Sequence, residues 1–296
     1  MGSKLHVCIG SLGRVFVPMP RPFDFARTVG RFGAVGEDRA NRLADGRLTR
    51  VLAGRAVTME AASGGVLVEP GRPELVRPVR RLLGAHADLG WLDHVPGGAD
   101  PVLADLAGRL RGLRPALVPD PFEMLVTSIT AQQVSQAAAL AMRNRFVEAF
   151  GQRHGAVYAF PDPAAVARVD ESTLAATGLS RQKARYVRAI ATSRRDFADL
   201  TTLDDDDVVA ALTELPGIGR WSAEWYLARH LGRPDIWPAG DLALRRALER
   251  FCSAGSRLDE PQAHRLGDCF RPHRTLACLY LLAAARMPTE ETPAPR

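Results

Sequence analysis

Lysine is nearly absent from this 296-residue chain: of 39 basic residues only Lys4 and Lys183 are lysine, leaving 37 arginines. Chemistry that needs a lysine amine, such as a Schiff base, is therefore confined to two positions. A membrane span is missing too. The longest uninterrupted apolar run, Leu276 to Ala285, has ten residues against roughly 20 for a transmembrane helix, and it reads as a buried helix. The N-terminal stretch lacks a signal-peptide hydrophobic core, so a cytoplasmic protein is expected. Cys8, Cys252, Cys269 and Cys278 match neither a CxxC pair nor the four-cysteine spacing of an iron–sulfur loop, so free buried thiols and no cluster are expected.

The chain has the composition of a globular protein, with 46% hydrophobic and 24% charged residues. Its length suits two compact domains. The net charge of +6 favours a polyanionic partner such as nucleic acid.

From Lys4 to about Pro70, short apolar runs (Leu5 to Ile9, Val15 to Val17, Val66 to Val68) punctuated by Gly and Pro read as strands and turns, with helical stretches near Phe23–Phe32 and Glu74–Ala87. The Pro- and Gly-rich segment Pro96 to Pro101 is the expected boundary. Beyond it the periodicity predicts helices over Pro121–Ala131, Ser135–Phe150, Pro163–Val169, Glu171–Thr177, Arg181–Asp196, Asp205–Glu214, Arg220–His230, Leu242–Phe251 and Thr275–Ala285. The expected organisation is an α+β N-terminal domain over 1–100, a mainly α-helical domain over 101–287 and a loose tail over 288–296.

Leu215-Pro216-Gly217-Ile218-Gly219-Arg220-Trp221 lies between two predicted helices. Two glycines one residue apart let the backbone approach a partner closely, and the following helix presents unpaired N-terminal amides, a pairing suited to a phosphate oxygen. The same pattern also serves as a plain helix–helix connection. Three of the four tryptophans, Trp221, Trp225 and Trp237, fall near this turn, with Trp221 and Trp225 at i, i+4 on one helix face. Such a pair can be core or can stack on a nucleobase. Asp241 follows a Pro/Gly loop at the start of the next amphipathic helix, where it can cap that helix and also stabilise positive charge.

Helix, Leu-Pro-Gly-Ile-Gly-Arg-Trp, helix, then an aspartate resembles the helix-hairpin-helix DNA glycosylase superfamily, and within it the AlkA-type 3-methyladenine DNA glycosylase II branch. The resemblance extends to Pro22-Phe23-Asp24-Phe25, Ser128 to Ser135, Gly178 to Ala184 and Phe270 to Arg274. It implies a helix-hairpin-helix glycosylase domain in which Asp241 is the catalytic aspartate, Gly217, Gly219 and Arg220 hold the DNA backbone, and Gln133 enters the gap left by an extruded nucleotide. It implies a monovalent cation, Na+ or K+, held by the main-chain carbonyls of Thr213, Leu215 and Ile218, and no catalytic cofactor. Trp221 and Trp225 match base-pocket positions. Leu282 stands where the family has a tryptophan, with Tyr280 as the expected replacement wall, and Arg31, beside Phe32, stands where it has an aromatic.

The family's strand-cutting members carry a lysine directly after the hairpin, where this chain has Trp221, and the only lysines, Lys4 and Lys183, are expected to lie away from the hairpin. The resemblance therefore implies a monofunctional, monomeric glycosylase of base excision repair. Its partner is double-stranded DNA carrying alkylated purines of the 3-methyladenine and 7-methylguanine type, and its product an abasic site. Indole faces would favour a cationic base by cation–π attraction. Arg245, Arg246 and Lys183 are further phosphate candidates, and Asp204 to Asp207 cap and charge a helix start. Two alternatives remain: the same fold aimed at uracil, hypoxanthine or an oxidised purine, and a non-catalytic protein that binds damaged DNA.

Overall fold

The computed structural model describes residues 9–10, 13–90, 101–253 and 255–287. The boundary expected at Pro96 to Pro101 falls largely outside them, as do the tail, Cys8 and most of the first expected strand.

Six antiparallel strands open the chain: β1 (Ile9–Gly10), β2 (Arg14–Pro18), β3 (Asn41–Ala44), β4 (Arg47–Leu52), β5 (Arg55–Ala62) and β6 (Gly65–Glu69). They pair in the order β1-β2-β6-β5-β4-β3. Two-residue turns set the register of β3 to β5. Asp45-Gly46 and Ala53-Gly54 both have positive φ at each position, the geometry whose twist matches paired strands. Alternate residues Val15, Val17, Leu48, Leu52, Val57, Met59, Val66 and Val68 face one way and are buried with Phe25 and Val29 of α1 (Phe25–Val29) and Val76, Val79 and Leu82 of α2 (Val76–Leu82). Each such side chain contributes about 1.5–3 kcal/mol by leaving water.

The second core belongs to helices α3 (Pro101–Arg109), α4 (Pro121–Ala131), α5 (Gln136–Phe150), α6 (Pro163–Ala167), α7 (Glu171–Ala175), α8 (Arg181–Ala191), α9 (Asp205–Thr213), α10 (Arg220–Tyr226), α11 (Leu242–Cys252), α12 (Glu260–Gly267) and α13 (Arg274–Ala284). Asp120, Ser135, Asp162, Asp170, Ser180, Asp241 and Asp259 each accept a backbone N–H as N-caps, which explains why most helix starts were legible.

Several expectations need correction. A short hairpin, β7 (Arg153–His154) and β8 (Val157–Tyr158), interrupts the helical run and leans on the first layer, where Tyr158 donates its N–H to the Arg39 carbonyl. Two-residue strands carry too little alternation to be seen in sequence. Helix α12 departs from the sequence expectation because its buried face holds only the small residues Ala263 and Gly267 and Pro261 stands in its first turn. Asp204 makes no side-chain cap bond, and Cys269 is exposed rather than buried. No helix among the described residues is long and apolar enough to cross a membrane.

The two layers are joined by charge. Glu123 of α4 accepts from Arg50 of β4 at 2.8 Å and Arg143 of α5 at 2.8 Å, and Arg143 also donates to Asp38 at 2.6 Å. All four are buried.

Candidate active site and nucleic-acid face

Helices α9 and α10 are joined by the turn Glu214 to Gly219. Gly217 has φ of +82°, and a Cβ there would collide with the Tyr186 ring, so this glycine is required by both backbone and packing. Gly219 differs: it caps α10 in extended conformation, and a Cβ on it would meet nothing within 4 Å. The α10 amides thus start uncapped by any side chain.

The turn is tied to the end of α4. Gln132 Nε2 donates to the Gly217 carbonyl at 2.8 Å. Lys183 Nζ donates to the carbonyls of Thr130 at 3.0 Å and Gln132 at 2.9 Å. Partial burial holds that amine below its ordinary range. These bonds fix the base of Gln133, which is exposed and left-handed at φ +55°. Lys183 and the hairpin line one cavity of about 510 Å³, so a lysine remote in sequence is near the hairpin in space.

The carbonyls of Thr213, Leu215 and Ile218 belong to residues of the same cavity. The backbone bond closing the turn, Ile218 N–H to Leu215 carbonyl at 3.0 Å, leaves the Thr213 and Ile218 oxygens out of the backbone pairing. A set of neutral oxygens fits a monovalent cation.

Asp241 is the N-cap of α11. Its Oδ1 accepts from the Leu244 N–H at 2.9 Å, while Oδ2 accepts from Trp221 Nε1 at 2.9 Å and Trp225 Nε1 at 3.0 Å. The i, i+4 spacing on α10 places both indole N–H groups on one oxygen. A carboxylate has about four acceptor directions, so one stays open. Asp241 as a residue is 9% exposed and lines both an inner cavity of about 310 Å³ and an open groove of about 1160 Å³. Val35, Val134 and Leu242, the large apolar side chains exposed among the described residues, rim these two spaces. Arg246 lies along the groove, whereas Arg220 is exposed and paired with Glu224 at 2.9 Å.

Leu282 lines both spaces. Tyr280 does not and is no pocket wall: fully buried, it donates its hydroxyl to the Leu113 carbonyl at 3.1 Å. Residues two apart on a helix point about 200° apart, so Tyr280 and Leu282 cannot face the same space.

Three arginines that sequence reasoning did not bring together line the inner cavity: Arg31 after α1, Arg229 in the π-helical turn Leu227–Leu231 that follows α10, and Arg286 after α13. Burial, then the nearby Arg286 and Arg143, push the Arg31 guanidinium down to about 10. Burial and Arg31 also drive Arg229 well below its ordinary range. Arg31 and Arg229 reach the Ala116 carbonyl at 3.0 and 3.4 Å, and Arg229 lies 5.5 Å from the Trp225 ring centre. That indole's cation–π partner is thus already a side chain of the protein, which alters the expected preference for a cationic base. No sequence signal marked Arg229 or Arg286, since each becomes part of the site only through tertiary packing.

Residues 126–269 match the family described as HhH-GPD superfamily base excision DNA repair protein. The chain is 30% identical over 318 aligned positions to a probable bifunctional transcriptional activator/DNA repair enzyme AlkA of Mycobacterium tuberculosis, covering 98% of this chain and 61% of that protein's length. It is 27% identical to DNA-3-methyladenine glycosylase 2 of Escherichia coli over 59% of this chain and 62% of that one. In structure it is similar to a 3-methyladenine DNA-glycosylase from Archaeoglobus fulgidus, with TM-score 0.80, 25% identity and coverage of 93% and 98%.

Proposed function

The chain belongs to the HhH-GPD superfamily of base excision DNA repair proteins, and from that premise we propose that it is a monofunctional DNA glycosylase acting as a monomer on damaged double-stranded DNA. The observation that carries this reading is the Asp241 carboxylate, held by two indole N–H groups and one backbone N–H at the mouth of a base-sized cavity. Gln133 occupies the space of an extruded nucleotide, a reading supported by its exposure and its left-handed position on a braced loop. The flipped base enters the inner cavity while the uncapped start of α10 and the turn at Gly217 face the backbone.

In the reaction the C1′–N bond breaks and its electron pair leaves with the base. Asp241 stabilises the positive charge that develops on the sugar and orients the water whose oxygen bonds to C1′ as its O–H bond breaks and the proton passes to solvent or to the departed base, leaving an abasic site. The names of the relatives support 3-methyladenine as a substrate, and the sequence resemblance extends this to alkylated purines of the 7-methylguanine type. Two features support hydrolysis without strand cutting. Trp221 occupies the position after the hairpin, and Lys183, whose amine is held by the Thr130 and Gln132 carbonyls, lines the hairpin cavity and neither of the spaces that Asp241 borders. A bound Na+ or K+ would be held by the Thr213, Leu215 and Ile218 carbonyls and would supply positive potential for a DNA phosphate. A second reading, the same reaction on another lesion, is favoured by the three cavity arginines.

The test is chromatography of bases freed from methylated duplex DNA by the wild type and by Asp241→Asn, with borohydride added to trap any Schiff base. Release of 3-methyladenine or 7-methylguanine, lost in the variant and with no trapped adduct, is the expected result. DNA binding without release of any base would leave a binding protein instead.

A further inference from the structure

Arg31, Arg229 and Arg286 come from three separate parts of the chain and stand between the cavity that Asp241 borders and an adjoining one of about 200 Å³, lining both, with Arg31 and Arg229 each giving one N–H to the Ala116 carbonyl. Among the described residues none of them forms an ion pair with a carboxylate, whereas the other charges on that wall, Asp38, Glu123 and Arg143, are paired with one another. Asp241 is thus the one carboxylate of this cavity outside the paired set, close enough to Arg286 to interact with it electrostatically, and the charges lining the space are positive on balance. Keeping like charges together and partly out of water costs free energy, and burial has already lowered the proton affinity of all three. The arrangement makes sense if negative charge arrives there during the reaction.

The chemistry of base release supplies that charge for one class of lesion. When the base is neutral in DNA, the electron pair of the broken C1′–N bond makes it an anion, delocalised onto its ring carbonyl, until a proton from the attacking water or from solvent neutralises it. When the base is cationic, as in a 7-methylpurine, the same pair neutralises it and no anion forms. Preorganised guanidiniums stabilise the first transition state and give nothing to the second.

We propose that Arg31, Arg229 and Arg286 make this cavity an anion-stabilising base site, so that the protein accelerates release of damaged bases that are neutral and carbonyl-bearing, of the hypoxanthine kind, more than release of cationic ones. This rests on the glycosylase reading of Asp241 and adds to it the charge class of the leaving base. Cationic methylpurines, good leaving groups by themselves, still depart with the help of Asp241 alone. The Arg229 guanidinium over Trp225 also replaces, on that face, the electron-rich ring that a cationic base would otherwise meet.

The experiment uses the full chain and two duplexes identical except for one nucleotide, hypoxanthine or 7-methylguanine. Single-turnover release is measured at protein concentrations below saturation for wild type, Arg229→Gln and Arg286→Gln. The ratio of hypoxanthine to 7-methylguanine release is expected to fall at least about tenfold in Arg229→Gln, ~1.4 kcal/mol, and to fall in the same direction in Arg286→Gln. Arg286 lies beyond the end of α13 on an exposed position, so its variant reads the same ratio should the Arg229 change prevent folding. Arg229→Lys, which keeps the charge, is expected to recover part of the ratio. A ratio that stays level or rises in both glutamine variants overturns the proposal, as does a wild type that frees 7-methylguanine but never hypoxanthine. A wild type that frees neither base while binding both duplexes overturns the glycosylase reading itself, a different result.

Discussion

Two sets of buried carboxylates border the same cavity and are held in opposite ways. Glu123 and Asp38 are saturated by the guanidiniums of Arg50 and Arg143 at 2.6–2.8 Å. Burial alone would raise their proton affinities, but Arg50 and Arg143 at Glu123, and Arg143 with the Asn41 amide and the Ala40 N–H at Asp38, together outweigh it and hold both below the usual carboxylate range. Asp241 is bound by neutral N–H donors, three of them, with guanidiniums near but not paired. A carboxylate locked to arginine has its field cancelled and can only hold structure together. One fixed by neutral dipoles keeps its charge available to a substrate. The first set therefore joins the sheet to the helices, and the second is left for chemistry.

The largest expected effect is on Asp241. Asp241→Asn should lower base release by about a thousandfold or more, yet shift the unfolding free energy by only ~1–2 kcal/mol, because an amide cannot accept all three N–H groups. Arg143→Met should show the reverse. It leaves Glu123 and Asp38 short of a buried cation and should cost ~3 kcal/mol or more in urea unfolding. That deficit should depend on pH in a defined sense. In the wild type the depressed carboxylates contribute stability that is present above their ordinary values of 3.8 and 4.5 and is lost as pH falls through the lower folded-state values. The gap between wild type and Arg143→Met should thus be full near neutrality and narrow below about pH 4.5, as urea titrations at several pH values would show.

A smaller effect sharpens the Asp241 side. Trp225→Phe removes one of two indole donors to Oδ2 and should slow base release about tenfold, ~1.4 kcal/mol. The two hairpin glycines repeat the contrast between a committed and an open position. Gly217→Ala should cost ~1–2 kcal/mol through its left-handed φ and the Tyr186 ring, whereas Gly219→Ala should cost about 0.5 kcal/mol, a cap effect only. Thermal melting of the pair measures the difference.

The legible parts of the site are those encoded within a few residues. Gly217, Gly219 and the Trp221/Trp225 pair follow from one helix–turn–helix segment, and Asp241 from one N-cap. Tyr280 was misplaced because sequence proximity to Leu282 says nothing about facing, which the helical period decides. Lys183, far from the hairpin along the chain, comes near it only because the bond from its amine to the Gln132 carbonyl joins α8 to the end of α4.

What the sequence by itself determined is local: where helices start, where the chain must turn left-handed, which carboxylate sits at a helix N-terminus, and that lysine chemistry has almost no place. These depend on backbone sterics and short-range hydrogen bonds, which are written in adjacent residues. Only the tertiary structure decided that two indoles aim at Asp241, that Glu123 and Asp38 are neutralised across the layer boundary, and that Arg31, Arg229 and Arg286 share one cavity. Electrostatics inside a protein depends on distance and burial rather than on order along the chain, so the sign of the charge around this cavity is set only once the chain is folded.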